Sequence, residues 1–151
     1  MVAADGDILG GMNEARTFEL DWSDGHTLKF MLVNGENREE FMKCPLQPNI
    51  PMNTMCIGTF WGSTGKWNIK FFDTPCPVKY VSWIESPDEY NYAKTVVGQI
   101  GSAKRILVTV KAKTCALIAL GADSSHNCAK YEFVIGGWTN TASCIRNGNK
   151  G

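Results

Sequence analysis

The strongest constraint in this chain is a succession of short apolar runs that alternate with period two, or are rich in β-branched residues. Turn chemistry separates them, and almost nothing between them has helical spacing. Nine runs have strand character: residues 17–22, 27–33, 55–60, 67–72, 79–84, 106–112, 116–120, 131–135 and 143–146. Between several of them stand Ser23-Asp24-Gly25, Asn34-Gly35, Ser63-Thr64-Gly65 and Gly136-Gly137. Such residues reach the positive φ that tight turns require, or bond their own backbone. Many short strands so punctuated predict an all-β fold, an antiparallel β-sandwich or open barrel with long ordered loops.

The 151 residues suffice for a single β-rich binding domain over 1–151, with flexible ends at 1–15 and 147–151. Two stretches read as ordered loops: residues 44–54, where Pro45, Pro48 and Pro51 remove backbone donors, and the polar segment 86–91. Fifteen basic residues balance fifteen acidic ones, so bulk charge argues against nucleic acid as a partner. No apolar run reaches the roughly 18 residues of a membrane-spanning helix, so no membrane span is expected.

The N-terminal residues carry neither a basic n-region nor an apolar h-region, which leaves a cytosolic chain or one with a processed terminus. Cys44, Cys56, Cys76, Cys115, Cys128 and Cys144 are even in number, scattered, and never spaced C-x-x-C. That pattern favours disulfides in a secreted, extracellular protein over a zinc site. The connectivity stays open.

Residues 131–146 read Tyr-Glu-Phe-Val-Ile-Gly-Gly-Trp-Thr-Asn-Thr-Ala-Ser-Cys-Ile-Arg: a strand, a glycine-pair turn, an aromatic with polar neighbours, and a second strand. This stretch resembles the ending Y-E-[IV]-V-I-G-G-W-x-N-T-x-S-x-I-R of the domain named for farnesoic acid O-methyltransferase, found in invertebrate extracellular proteins. Residues 108–120, ending Ala116-Leu117-Ile118-Ala119-Leu120, resemble the strand that ends D-A-H-I-A-L there. Cys115 replaces the acid and Leu117 the histidine, so no role of that pair carries over. The resemblance implies an extracellular β-rich recognition module. Its name implies methyl transfer, but Gly6, Gly10 and Gly11 do not form the strand–loop–helix of a nucleotide-type cofactor site, and no βα alternation follows.

An aromatic ring beside donors and acceptors suits a sugar, whose C–H face stacks while its hydroxyls bond. Candidate carbohydrate-binding residues are therefore Trp138, Asn140, Arg146, Asn127 and His126. Each has a plainer role: Trp138 as a packing residue, Asn140 as a turn cap, Arg146 as the ion-pair partner of Glu132. Asp123 in the polar loop 123–127, with Asp88 and Glu89 of the other loop, supplies the oxygen ligands a calcium ion takes. Gln47-Pro48-Asn49 and Trp67-Asn68-Ile69 mimic C-type lectin motifs, but Ile69 stands where a metal ligand belongs, and the spacing is coincidence.

Catalysis has little footing. His26 and His126 are the two histidines, and neither a Gly-x-Ser-x-Gly elbow nor an H-E-x-x-H helix occurs. The expectation is a non-catalytic, lectin-like protein, calcium-assisted and homodimeric for avidity. The alternatives are a protein-interaction or structural module, then a lipid or terpenoid carrier.

Overall fold

The computed structural model describes residues 2–5, 8–48, 50–60, 62–73, 76–89, 96–121, 130–137 and 142–147. Among them the first half of the chain supplies β1 (Val2–Asp5), β2 (Gly11–Asp21), β3 (Thr27–Asn34), β4 (Asn37–Pro45), β5 (Thr54–Gly58) and β6 (Gly65–Asp73). The second half supplies β7 (Cys76–Ser86), β8 (Val96–Gln99), β9 (Arg105–Ala112), β10 (Ala116–Gly121), β11 (Lys130–Gly136) and β12 (Ala142–Asn147). All nine expected strands form, most of them longer than their apolar runs. Sheet A has the order β1-β12-β11-β10-β5-β8 and sheet B the order β4-β3-β2-β9-β6-β7. Every described pairing within them is antiparallel. Both sheets keep open edges, so the fold is a sandwich and not a barrel.

The strands without an alternating signal, β1, β4 and β8, all lie at sheet edges. β4 begins Asn37-Arg38-Glu39-Glu40, four exposed polar residues. Charge on an edge strand blocks pairing with another chain, so the strand has an edge's composition and not a core strand's. It is recruited by the Asn34-Gly35 turn, where Gly35 takes φ 65° and Asn34 pairs directly with Asn37. The β2–β3 turn closes similarly: Asp24 Oδ1 accepts from the backbone N–H of His26 and Thr27, both at 2.8 Å. Those two donors hold the Asp24 carboxyl below its ordinary range.

The sheets share one apolar layer. From sheet B it receives Phe18, Leu20, Phe30, Trp67, Ile69, Phe71, Ile106, Val108 and Val110; from sheet A, Met55, Ile57, Ile118, Leu120, Phe133 and Ile135. Phe30 stacks on Phe18 of its own sheet at 5.1 Å between centroids and on Phe133 of the other at 5.5 Å. The proline-rich loop is ordered by backbone bonds: Gln47 N–H donates to the Tyr131 hydroxyl at 2.6 Å and Leu46 N–H to the His26 carbonyl at 2.8 Å.

The outer faces of the two sheets differ. β9 alternates between half-buried and buried along its length, as a strand with one solvated face does. In sheet A every residue of β5, β10 and β11 is buried. Cys56, Cys115, Leu117, Ala119 and Val134 form a second, smaller apolar cluster there, flanked by Phe60 and Cys144. The centre of sheet A, β5, β10 and β11, is therefore covered on both sides, and among the described residues the wide open face is that of sheet B.

The expected disulfides are not formed by Cys44, Cys56, Cys115 or Cys144, which are thiols; Cys76 and Cys128 lie outside what the structure describes at side-chain level. Register gives the reason for the closest candidates. Cys144 on β12 and Cys115 before β10 are separated by β11, about 10 Å at ordinary strand spacing. A disulfide needs Cα atoms within roughly 7 Å. Burial pushes the Cys115 thiol up to about 12, because an apolar surrounding disfavours the thiolate.

Two outcomes follow. Phe30→Ala should cost about 3–5 kcal/mol in urea unfolding, since it empties a fully buried position that touches both sheets. A raised Cys115 pKa keeps the thiol protonated at pH 8, so iodoacetamide should leave it unlabelled in the native protein and label it after unfolding. The associated stability is fully present below the ordinary value of 9.0 and is lost as pH rises towards about 12. Peptide mass mapping checks the first part and urea titration at stepped pH the second.

Candidate recognition face

The open face of sheet B is built by strand alternation. Trp67, Ile69 and Phe71 of β6 point into the core, which leaves Lys66, Asn68, Lys70 and Phe72 outward. Lys66 lies opposite Glu85 of β7 and Lys111 of β9. Asn68 faces Thr109, and Lys70 faces Tyr80 and Leu107. Across β9 the face continues into β2, where the Thr109 and Thr17 hydroxyls are 3.1 Å apart.

One aromatic reaches this face through an irregularity. Register shifts between Trp67↔Ile84 and Ile69↔Val81, so Asn68 opposes both Ser82 and Trp83, a β-bulge. Trp83 sits in it with φ 46°, in the left-handed region that bulky residues avoid at a cost of about 1–3 kcal/mol. The bulge aims the indole outward and leaves it 47% exposed. Lys111 Nζ lies 5.3 Å from its ring centroid. Since β9 is two strands from β7, the ring and the lysine meet over β6. Tyr80, 51% exposed, receives Lys70 in the same way at 5.4 Å.

Charge is unevenly spread over the face. Towards β2, Glu19 is buried and held by Arg38 Nε at 2.9 Å and Arg105 Nη1 at 3.6 Å, and Arg105 also stacks over Phe72 at 4.8 Å. Those guanidinium groups are committed to the fold. Towards β7 stand Lys66, Lys70 and Lys111. Lys66 faces Glu85 at 3.9 Å, both side chains exposed, a contact worth little. Beside that pair opens a cleft of about 380 Å³ lined by Thr64, Gly65, Lys66, Glu85, Ser86 and Pro87. Its floor is rigid: Ser86 Oγ accepts from Trp67 Nε1 at 2.9 Å and contacts Thr59 Oγ1 at 2.8 Å.

Of the residues expected to bind sugar, Trp138, Asn140, Asn127 and His126 lie outside the described residues, as does Asp123. Arg146 takes the plainer of its two roles. Its Nε donates to Glu132, directly opposite on β11 and buried. Asp88 Oδ1 accepts from Gly62 N–H at 3.1 Å, and Glu89 N–H donates to the Thr59 carbonyl at 3.0 Å, so both belong to a loop that ties β7 to the end of β5. Among the described residues no group of three His, Cys, Asp or Glu side chains is placed to hold a metal ion. Ser143 Oγ accepts from Gly136 N–H at 3.0 Å and braces the turn in which Gly136 takes φ 72°.

Trp83 was hidden by parity. It shares the parity of the inward Val81, so strict alternation assigns it to the core and Ile84 to solvent. The bulge reverses both, and Ile84 packs on the core instead. The run 79–84 holds no Gly, Asn or Pro, and a lone Ser82 within it does not signal the extra residue.

Residues 86–151, under half of the chain, match the family model described as farnesoic acid O-methyltransferase, in agreement with the resemblance of residues 108–146. The match includes β8 to β12; of the open face it takes in β9, with Thr109 and Lys111, while β2, β6 and nearly all of β7, Tyr80 and Trp83 included, lie outside it. Positions 115 and 117, acidic and histidine in that pattern, are Cys and Leu within the smaller apolar cluster. No curated protein and no solved structure matches the chain.

Trp83→Asn should leave stability to urea within about 1 kcal/mol of the parent, because Asn tolerates left-handed φ and the lost ring is half exposed. A loss above roughly 3 kcal/mol, as for a core aromatic, would make the indole a packing residue.

Proposed function

We propose that this chain is a non-catalytic, lectin-like carbohydrate-binding protein, and that sugar rings stack on Trp83 and Tyr80 of the open face of sheet B. The observation that carries the reading is Trp83, kept at an unfavourable φ by a bulge that turns its indole to solvent. Strained backbone persists where the rest of the fold enforces it, and it concentrates at binding sites. The residues around the ring supply what a pyranose needs: Asn68, Thr109 and Thr17 for hydroxyls, the aromatic faces for C–H groups. Sheet A offers no comparable surface among its described residues.

Calcium assistance, an extracellular setting and a homodimer belong to the proposal on chemical grounds. Calcium rests on the oxygen-rich loop around Asp123. Location rests on where glycans are met, since four of the six cysteines are thiols. Dimerisation rests on the avidity that weak, shallow sites gain from duplication.

A glycan array run with and without EDTA tests the reading. Binding above background to at least one glycan class is expected, with Trp83→Asn reducing the signal tenfold or more. An array blank under both conditions overturns it, and binding indifferent to EDTA removes calcium alone. Methyl transfer, favoured by the description of the matched family, is the second reading. Transfer of a labelled methyl group from S-adenosylmethionine to farnesoic acid would establish it.

A further inference from the structure

We infer that the glycan bound on the face of sheet B is sulfated, with Lys66, Lys70 and Lys111 receiving its anionic groups; the inference rests on the lectin reading. Three observations support it. First, Lys66 and Lys111 are direct cross-strand partners. Like charges in that position destabilise a sheet, and the ion pair described for them, Lys66 with Glu85 at 3.9 Å, is largely solvated. An anion laid across β6 and β9 relieves this repulsion.

Second, the three ammonium groups surround the aromatics. Lys111 lies at Trp83 and Lys70 at Tyr80. Lys66 and Lys70 are four residues apart on one side of β6, about 14 Å at strand rise. A sugar stacked on the indole thus has cations on both flanks, within the span of two or three sugar units.

Third, the cations are of one kind. The arginines of the face, whose planar forks match carboxylates, are already held by Glu19 and Phe72. What remains towards β7 is compact ammonium groups, point charges that bind a fully ionised, multiply anionic chain by charge density more than by fork geometry. Beyond the patch the charge is mixed: Glu85 flanks it on β7, and towards β2, β3 and β4 Glu19 is paired with Arg38 and Arg105, Asp21 lies opposite Lys29, and Lys43 pairs with Glu40. A nucleic acid needs net positive charge over a longer path than these three lysines provide, whereas a short sulfated segment matches their span.

The test measures affinity by quenching of tryptophan fluorescence with heparin, chemically desulfated and re-N-acetylated heparin, hyaluronan and single-stranded DNA. Each probe is titrated at 50 and 300 mM salt. Heparin should bind at least tenfold more tightly than the other three, and weaken at least tenfold at the higher salt. The triple variant Lys66→Gln/Lys70→Gln/Lys111→Gln should lose at least tenfold for heparin while its circular dichroism stays that of the parent. Each single Lys→Gln variant, should the triple variant not fold, should lose about threefold. Desulfated heparin or hyaluronan bound as well as heparin overturns the sulfate assignment and leaves the lectin reading standing. Equal binding of DNA overturns it in favour of a general polyanion surface. Unchanged heparin affinity in the lysine variants overturns the site. No binding to these probes or to any arrayed glycan removes both readings together.

Discussion

Phe30 is the point at which the two sheets become one protein. Its ring contacts Phe18 within sheet B and Phe133 across the core, and the aliphatic residues of ten or so strand positions close around that stack. Each sheet alone would expose an apolar face; pressed together they remove it from water, and this is the main favourable term in the fold. The orientation of every strand follows. Once the inward parity of β2, β3, β6, β9, β10 and β11 is set by this layer, the opposite parity is what the molecule shows to its surroundings.

What it shows is unequal. The central strands of sheet A bury their second face as well, over Cys56, Cys115, Leu117 and Val134, with the Glu132–Arg146 pair at the margin. A buried carboxylate with a guanidinium beside it is a structural pair, and truncating either partner leaves a charge without compensation. Sheet B keeps a polar, cationic and aromatic surface. The residues of the C-terminal motif that the structure describes, from Tyr131 to Gly137 and from Ala142 to Arg146, serve the covered sheet. They brace a turn, anchor the proline loop and fill the core. The exposed aromatic and cationic surface lies on the other sheet, and apart from Thr109 and Lys111 its residues stand outside the family-like stretch 108–146.

The Glu19 triad and the lysines near β7 illustrate how one face divides its charges. Arg38 and Arg105 neutralise an acid that the fold has taken out of water. Lys70 and Lys111 lean on rings, a contact worth about 0.5–1 kcal/mol at exposed sites, which leaves their charge available. Proximity in the sheet, not proximity in sequence, makes the distinction: Lys66 and Lys111 are forty-five positions apart and directly opposed.

Strand existence was legible in the sequence because a half-buried strand must alternate, and the turns between strands demand Gly, Asn or Asp. Asn34-Gly35 and Asp24-Gly25 behave as that chemistry requires, and residues 131–146 marked a β-rich family segment. Three things were decided only by tertiary structure. The edge strand β4 is charged and recruited by its hairpin, so it carries no core pattern. Cys115 and Cys144 are held apart by register, and an even count says nothing about distance across a sheet. Trp83 faces solvent because one extra residue in β7 reverses the parity of those beside it, and alternation read along a single strand has no access to the partner strand that reveals the bulge. Local periodicity is written into each segment by itself. Which face is covered, and which ring is turned out of it, depends on the pairing of segments far apart in the chain.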